Sequence, residues 1–270
     1  MEDELKEIAL RARRHILDMT EGGCFLGASY SCVDIILFLY KKFLNVDSAH
    51  LKDPTRDYFF LSKGHSVPAL YATFVELGWL EKERLKNHLK TNDDIYWHPN
   101  TKINGVEFHS GSLGHLLSVA VGVALDCKIE QRNNKVVVLL GDGELNEGSN
   151  WESLLIASTF KLNNLLIIID RNKIQANKIT EELIPLEPLK EKFNSFGFYV
   201  DSVNGHDFND MDIKLKKYPN EDKPTILIAE TVRGKGIPSI EMKTDKWFCK
   251  FTDDEINNYK LELEQMTDIM

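Results

Sequence analysis

Long hydrophobic runs, a targeting signal and flexible linkers are all missing from this sequence. The longest apolar runs, residues 136–140 and 165–169, have five residues each, whereas a membrane-spanning helix needs about 20. The first segment, MEDELKEIALRARRHILDM, is charged and has no apolar core, so it does not predict a signal peptide. No stretch rich in Pro, Gly or Ser and no internal repeat interrupts the chain. These absences predict a protein of the cytoplasm that has no membrane partner.

Basic residues and cysteines are also scarce. The chain has 33 Lys and Arg against 42 Asp and Glu, a net charge of −9, which argues against nucleic acid as a partner because phosphate backbones need a basic surface. Cys24, Cys32, Cys127 and Cys249 are too widely spaced for a zinc knuckle or a CxxC redox motif. We expect four reduced thiols in a cytoplasmic protein.

The composition is otherwise that of an ordinary globular protein. Hydrophobic residues make up 43% and charged residues 28% of the 270 positions, enough apolar surface for a core and a length that allows one or two domains. Helical spacing of apolar residues predicts helices over 2–19, 32–44, 68–78, 116–125 and 149–160.

Short strand-like segments alternate with helices through the second half of the chain. The segments KVVVLLGDG, NLLIIIDRN, FGFYVDSVNG and KPTILIAETVRGKG each combine a β-branched apolar run with a polar turn. This alternation predicts an α/β fold with three layers, in which a mostly parallel sheet has helices on both faces. We expect residues 1–270 to form a single domain.

Polar residues that follow these strands are the first candidates for a site, because ligands of open α/β sheets bind beyond the carboxyl ends of the strands. Asp142 and Asn172 each follow an apolar run and should lie at the same edge. One carboxylate and one amide oxygen suit Mg²⁺ or Ca²⁺ only if another molecule, typically a phosphate, supplies anionic oxygens. Gly141 and Gly143 would let the backbone approach a phosphate, and a helix beginning near Ser149 would add its positive end.

Several motifs resemble those of the transketolase family. The segment GDGELNEGSNWESLLIASTFKLNNLLIIIDRNKIQ is similar to the thiamine diphosphate motif, in which Gly-Asp-Gly is followed by Asn after a complete βα unit. SKGHSVPALYA (62–72), GVEFHSGSLGH (105–115) and PTILIAETVRGKGI (224–237) continue the resemblance in the same order. The resemblance implies the thiamine diphosphate-binding fold and, within it, the domain that binds the diphosphate.

The resemblance also implies which residues hold the cofactor and its metal. Asp142 and Asn172 would ligate Mg²⁺ or Ca²⁺ through their side chains, and the backbone carbonyl of Ile174 would be the third protein ligand. The cofactor itself would contact His65, Gly111, Ser112, Leu113, Gly141, Asp142, Gly143 and Asn172.

Three residues correspond to catalytic positions of the family. His65 would contact the diphosphate and line the active site, and His98 would bind a hydroxyl group of the donor sugar. Glu147 would lie at the subunit interface and communicate with the partner's active site. Each has a simpler interpretation, namely a core or cap histidine, or an acidic residue in a helix first turn. His206 is expected to cap a helix.

Three basic residues occur within the same motifs. Lys63 lies in the SKGH motif, and Arg233 and Lys235 follow a predicted strand. They are either functional cations of the site or ordinary solvated residues of the loops.

Two departures from the family pattern concern the substrate. Phe25 stands where transketolases usually carry a histidine near the first helix, and Phe248 replaces the histidine of a Trp-His-Gly motif. Imidazoles that could transfer a proton are therefore replaced by apolar rings, a loss that typically costs ~10²–10⁴ in rate for an unchanged substrate. These replacements predict a substrate that differs from ordinary pentose phosphates.

Together these features predict the N-terminal subunit of a split, thiamine diphosphate-dependent transketolase that transfers a two-carbon ketol unit between sugar-like substrates. The activating glutamate of the family lies on a pyrimidine-binding domain, so we expect a C-terminal partner subunit, an α₂β₂ assembly and no activity without the partner. The alternatives are another thiamine diphosphate-dependent carboligase or decarboxylase of specialised sugar metabolism, and a non-catalytic cofactor-binding module. The α-subunit of a 2-oxoacid dehydrogenase fits the motifs less well.

Overall fold

The central sheet is built from parallel strands. The computed structural model describes residues 2–20, 23–220 and 222–267. Its strands are β1 (Tyr58–Leu61), β2 (Val136–Gly141), β3 (Leu165–Arg171), β4 (Ile174–Gln175), β5 (Lys178–Ile179), β6 (Tyr199–Asn204) and β7 (Thr225–Glu230). Five of these pair in parallel in the order β1-β2-β3-β7-β6, and β4 and β5 form a small antiparallel hairpin.

Helices cover the sheet, and the described residues contain the five helices that the sequence predicts and four that it does not. They are α1 (Glu2–Leu17), α2 (Leu26–Phe38), α3 (Val67–Glu76), α4 (Leu116–Ile129), α5 (Gly148–Thr159), α6 (Thr180–Leu183), α7 (Leu189–Ser195), α8 (Phe208–Leu215) and α9 (Asp253–Thr267). The prediction for α2 is shifted, because the helix starts at Leu26 and gives way to a π-helical turn, Leu39–Phe43. All thirteen residues of α2 are buried, so its boundaries carry no amphipathic signal.

The strands supply apolar residues to both faces of the sheet. Val137 and Leu139 of β2 pack with α1, α2 and α3 on one face, whereas Val136, Val138 and Leu140 pack with α4, α5 and α7 on the other. Because successive strand residues point to opposite faces, a fully apolar strand is the form required for a sheet covered on both sides. The predicted three-layer α/β class is confirmed.

Strand β1 is absent from the elements that the sequence predicts. It has only four residues, Tyr58–Leu61, and lies at the edge of the sheet beside β2. A run this short is ambiguous between helix and strand. Its position matters because it delivers the following residues, 62–65, to the same edge as the ends of β2 and β3.

A buried ionic cluster joins α1 and α2 to the loop after β6. The two guanidinium nitrogens of Arg13, Nη1 and Nη2, donate to the two carboxylate oxygens of Asp34, at 2.7 Å each. Nε2 of His206 accepts from the backbone N–H of Val232 at 2.9 Å, so its Nδ1 carries the proton and donates to Asp34 at 2.7 Å. Burial alone would raise the pKa of Asp34, but Arg13 and His206 hold it well below its usual range.

The expectation that His206 caps a helix is wrong. The residue that caps α8 is Asp207, whose carboxylate accepts from the backbone N–H groups of Asn209 and Asp210. Asp207 follows His206 directly, and only the tertiary contact with Asp34 distinguishes the two roles.

None of the helices in the described ranges is long and apolar enough to cross a membrane.

The buried Arg13–Asp34 pair predicts a large stability effect. Replacing Arg13 with Met leaves the buried Asp34 carboxylate without its bidentate partner, a change that costs roughly 3–5 kcal/mol at buried pairs. Urea unfolding of R13M should therefore show a markedly lower midpoint. Lys102→Met is the matched control, because Lys102 pairs with Asp94 while 72% exposed, and such pairs contribute roughly 0–1 kcal/mol. Equal losses of unfolding free energy in R13M and in the Lys102 variant would contradict the role given to the buried pair.

Candidate active site

Four segments meet where the parallel strands end. They are residues 62–65 after β1, 141–146 after β2, 170–174 at the end of β3, and 231–236 after β7. The strand ladder continues into them, since Asp142 donates its N–H to the Asp170 carbonyl at 3.2 Å and Thr231 donates to the Arg171 carbonyl at 3.3 Å. Parallel pairing thus brings together all the strand-end motifs that the sequence singled out.

A fully buried ion pair between Lys63 and Asp170 lies at the centre of this edge. Lys63 Nζ also donates to the carbonyl of Ala28 at 3.1 Å, and Asp170 accepts from the hydroxyls of Ser31 and Thr231. Burial would raise the pKa of Asp170, but Lys63 keeps it below its ordinary value. Lys63 is therefore an internal cation of the site and not a solvated loop residue.

Asp142 is buried beside this pair and has limited compensation for its charge. One carboxylate oxygen accepts from the N–H of Gly143 at 2.7 Å, and the other accepts from the N–H of Lys173 at 2.7 Å and from Arg171 Nη1 at 3.0 Å. Burial, together with the nearby charge of Asp170, raises the pKa of Asp142 to about 6. An additional cation next to this carboxylate would stabilise its ionised form.

Asn172 and Ile174 lie next to Asp142, as the sequence predicts. Asn172 donates from Nδ2 to Asp170 at 3.1 Å, and its Oδ1 accepts the N–H of Ile174 at 3.1 Å. The amide is thereby oriented, with one lone pair of its oxygen still available. The arrangement holds the predicted amide ligand and the predicted carbonyl ligand in one short turn.

This donor set fits a hard divalent cation bound together with a phosphate. It consists of one carboxylate, one amide oxygen and one backbone carbonyl, all oxygen. In the part of the chain that the structure describes, no group of three or more His, Cys, Asp or Glu side chains could hold a metal. A metal at Asp142 would thus need oxygens from another molecule, and a diphosphate provides them.

Two glycines allow the loops of the site to approach each other closely. A Cβ on Gly64 would lie 2.7 Å from Ser110 Oγ and 2.9 Å from the Gly111 nitrogen. A Cβ on Gly111, where φ is +139°, would lie 2.6 Å from the ring carbon Cδ2 of His98. The loop carrying His65 is therefore packed on the loop of residues 111–113, and His98 covers Gly111.

Arg233 is a buried cation with unused donors. Its side chain is 3% exposed, and Nε and Nη2 have no hydrogen-bond partner among the described residues. Burial lowers the pKa of Arg233. Unpaired buried donors are costly, and a guanidinium matches the geometry of a phosphate. Arg233 is the clearest anion-binding group of the site, whereas Lys235 is partly exposed and 4.0 Å from Glu241.

His65 is a partly buried, neutral imidazole. Burial, together with the charges of Lys63 and Arg233, lowers its pKa to about 3. Burial also lowers the pKa of His98. Both histidines can therefore donate and accept hydrogen bonds at neutral pH, but neither carries a positive charge.

An aromatic wall stands beside His65. We use this name for Phe25, Trp97, Trp247 and Phe248. The ring of Phe25 lies edge-on to His65 with centroids 5.3 Å apart, and it contacts Phe248 at 4.9 Å and Trp247 at 5.5 Å. Phe248 contacts Trp97 at 5.5 Å. The two phenylalanines that replace family histidines are thus in contact with each other and form one surface.

Two glutamates follow Asp142, and the structure separates their roles. Glu147 is exposed and directly precedes α5 without forming a side-chain cap. Glu144, which sequence reasoning missed, is buried and accepts from the Ser62 hydroxyl and from the N–H groups of Gly114 and Gly141. It joins three segments around the site, and only the fold reveals this.

Helix α5 begins within one residue of the predicted start near Ser149. A 3₁₀ turn, Gly143–Asn146, separates Asp142 from the helix, which begins at Gly148. Ser149 Oγ donates to the Gly114 carbonyl at 2.6 Å. The first turn of α5 therefore contacts the loop that ends at Gly114, and the 3₁₀ turn separates α5 from Asp142 along the chain.

Comparisons with known proteins agree with this geometry. The family described as "Transketolase, thiamine diphosphate binding domain" matches residues 15–266. The chain is 37% identical over 271 residues to a subunit of apulose-4-phosphate transketolase from Actinobacillus succinogenes, covering 98% of this chain and 97% of that protein. It is 32% identical over 242 residues to 6-deoxy-6-sulfo-D-fructose transketolase subunit SqwG of a Clostridium species, covering 89% and 88%.

Solved structures show the same fold. Transketolase from Campylobacter jejuni superimposes with a TM-score of 0.88 at 29% identity, over 96% of this chain and 42% of that one. Transketolase from Leishmania mexicana also gives 0.88, at 24% identity, over 96% and 41%. The chain thus spans about two fifths of these transketolases, but nearly the full length of the two transketolase subunits.

These findings confirm the resemblance, the fold class and the prediction of a transketolase subunit. The family match extends over most of the chain and includes every residue that the sequence motifs assign to the site. The chain therefore belongs to the transketolase family, in which it corresponds to the thiamine diphosphate-binding domain and resembles the subunit of split enzymes that consists of this domain.

Proposed function

We propose that this chain, as the cofactor-binding subunit of a two-subunit transketolase, transfers a two-carbon ketol unit between sugar phosphates once its partner is bound. The observation that carries the proposal is the charge arrangement at the strand ends. A buried guanidinium with unpaired donors, Arg233, and a buried carboxylate of raised pKa, Asp142, occupy one edge. A bound anion would accept hydrogen bonds from Arg233. A divalent cation held by the same anion would compensate the charge of Asp142.

The cofactor site follows from these residues. Asp142, Asn172 and the Ile174 carbonyl would hold Mg²⁺, with Ca²⁺ as a substitute, and Arg233 and His65 would bind diphosphate oxygens. The loop of residues 111–113 would contact the rest of the cofactor. Bound thiamine diphosphate supplies a nucleophilic carbon that adds to a carbonyl and stabilises the resulting carbanion.

The remaining side chains would position the substrate. His98, fixed against Gly111, is the candidate for binding a donor hydroxyl, and neutral His65 can hydrogen-bond without adding charge. The aromatic wall would exclude water from the side of the site that it covers.

We infer that the active site also needs a partner chain. The resemblance assigns the activating glutamate to a pyrimidine-binding domain, which we propose to be carried by a C-terminal subunit. Apolar residues on and directly after α5 support a subunit contact, since Leu155, Ile156 and Phe160 are 56%, 46% and 48% exposed. Glu147 lies at the start of the same helix. We infer an α₂β₂ assembly in which α5 and Glu147 face another subunit.

Two further inferences concern the chain as a whole. The single parallel sheet and its two apolar layers support treating residues 1–270 as one domain. The composition, with four cysteines that are all free, supports a cytoplasmic location.

The substrate is proposed to carry a less hydroxylated region opposite the aromatic wall. Phe25 and Phe248 offer no hydrogen-bond partner to a sugar hydroxyl, and burying an unpaired hydroxyl is unfavourable. A methylene, methyl or other apolar group would be accepted there instead.

Loss of a metal ligand should abolish cofactor binding. Asp142→Ala removes the only carboxylate of the proposed metal site, so Mg²⁺-dependent affinity for thiamine diphosphate should fall more than ~100-fold, beyond the 10–100-fold typical of supporting residues. Calorimetric titration of the chain with its partner measures the change. Asp126→Ala, an exposed residue of α4, is the control and should bind normally. Unchanged affinity of D142A would show that the metal lies elsewhere.

Activity should require both subunits. Purified chain with Mg²⁺ and thiamine diphosphate is expected to give no ketol transfer, because the activating glutamate is proposed to lie on the partner, and addition of the C-terminal subunit should restore turnover. A coupled assay of aldose phosphate release measures this, with the isolated C-terminal subunit as a control. Full activity of this chain without a partner would refute the proposed division of the active site.

The aromatic wall should set substrate preference. With the reconstituted pair, donors that carry a hydroxyl opposite the wall should show a kcat/KM lower by up to ~10² than their deoxy counterparts, the discrimination that an apolar pocket achieves against a hydroxyl. Phe248→His should reduce the difference in kcat/KM between deoxy and hydroxylated donors. Phe196→His, distant from the wall, is the control and should leave that difference unchanged. A wild-type preference for the hydroxylated donor would contradict the proposal.

A further inference from the structure

Cys24 and Cys249 lie directly opposite each other although they are near opposite ends of the sequence. They form an isolated antiparallel β-bridge. The N–H of Cys24 donates to the Cys249 carbonyl at 3.0 Å, and the N–H of Cys249 donates to the Cys24 carbonyl at 3.3 Å. The two residues are therefore a hydrogen-bonded cross-strand pair.

This backbone geometry is compatible with a disulfide. The Cα atoms of a hydrogen-bonded antiparallel pair are about 5.5 Å apart, within the range of roughly 4.4–6.8 Å that a disulfide spans. Side chains of directly opposite residues also project on the same side of the pair. The Cβ atoms of such a pair are about 4.5–5.5 Å apart, beyond the roughly 3.5–4.5 Å of a disulfide, so closing the bond needs a small backbone shift that makes it easily reduced.

The other two cysteines offer no such arrangement. Cys32 is buried within α2, whereas Cys127 is buried on α4. Cys24 is also buried, but Cys249 is partly exposed. Cys249 is thus the thiol that a small molecule in solution can reach.

The pair lies beside the aromatic wall. Phe25 follows Cys24, and Phe248 precedes Cys249, with their rings 4.9 Å apart. A Cβ on Gly23 would lie 2.5 Å from the ring of Phe248, so this ring is packed on the backbone before Cys24. A covalent bond here would join the two segments that carry these phenylalanines.

We propose that Cys24 and Cys249 are a redox-active pair whose reversible disulfide fixes the aromatic wall. The oxidant is a low-molecular-weight disulfide such as glutathione disulfide. The Cys249 thiolate attacks one of its sulfurs, releasing one thiolate, and the Cys24 thiolate then attacks the Cys249 sulfur of the mixed disulfide, releasing the second. The cysteines lose two electrons and two protons, which convert the oxidant into two thiols.

Burial raises the pKa of both thiols, that of Cys24 to about 12. Only the thiolate form attacks a disulfide, so the exchange should be faster at alkaline pH.

Peptide mapping tests the pair directly. The full chain is incubated with glutathione disulfide, free thiols are alkylated, and the digest is analysed by mass spectrometry. The expected product links the peptides of Cys24 and Cys249 and disappears with dithiothreitol. Because the bond closes a loop of most of the chain, the oxidised form should also unfold about 5–10 °C higher.

Matched variants make the result specific. Cys249→Ser should abolish both the linked peptide and the rise in Tm, and it changes only a partly exposed side chain. Cys127→Ser should retain both. A wild-type product with glutathione on Cys249 and a free Cys24, or a link to Cys32 or Cys127, would overturn the proposal.

The effect on the wall is tested with the reconstituted pair and rests on the proposed function. Turnover of the oxidised wild-type pair should fall at least several-fold and recover on reduction, because the bond shifts the two segments that carry Phe25 and Phe248, whereas C249S should not respond. Unchanged turnover after complete oxidation would refute fixation of the wall. An inactive reduced pair would instead refute the proposed function, and the mapping result would be unaffected.

Discussion

The buried contact between Lys63 and Asp170 organises the whole cofactor edge. Lys63 lies in the loop after β1, and Asp170 lies on β3. Their hydrogen bonds extend to α2 and to the segment after β7. Asn172 donates to the same carboxylate. Opposite charges in a low-dielectric interior attract strongly, but each would be very unfavourable alone. The strands must therefore meet in the observed register for the pair to exist, and that register brings the proposed metal-binding residues together.

Around this pair the charges are arranged for a ligand that is both anionic and metal-bound. The charge of Asp142 is only partly compensated, because its cationic partner Arg171 also binds Glu181 and Glu187. The guanidinium of Arg233 has donors without acceptors among the described residues. The protein thus concentrates its electrostatic imbalance at two points, which the proposed metal diphosphate would span.

Much of the fold and the main polar residues of the site were predictable from the sequence, for physical reasons. Strands β2, β3 and β7 are apolar runs that end in turns, so Asp142 and Asn172 could be placed at one edge. Strand β1 was too short to recognise, and α2 had no polar face to mark its start. The burial of Glu144 and Arg233 depends on residues distant in the chain, and no local pattern records it. The same holds for the bridge between residues 24 and 249, whose wide spacing suggested unrelated thiols.

Helix α1 supports the segment that carries Arg233. Arg13 of α1 not only binds Asp34 but also donates from Nε to the carbonyl of Lys235 at 2.9 Å, and His206 connects Asp34 to the N–H of Val232. The residues on both sides of Arg233 are therefore tied to one helix at the far end of the chain. The family match begins at residue 15 and leaves Arg13 outside it. A version of the protein trimmed to that boundary would keep every residue proposed to bind the metal or the cofactor. It would still lose the contacts of Arg13 that hold the segment around Arg233 in place.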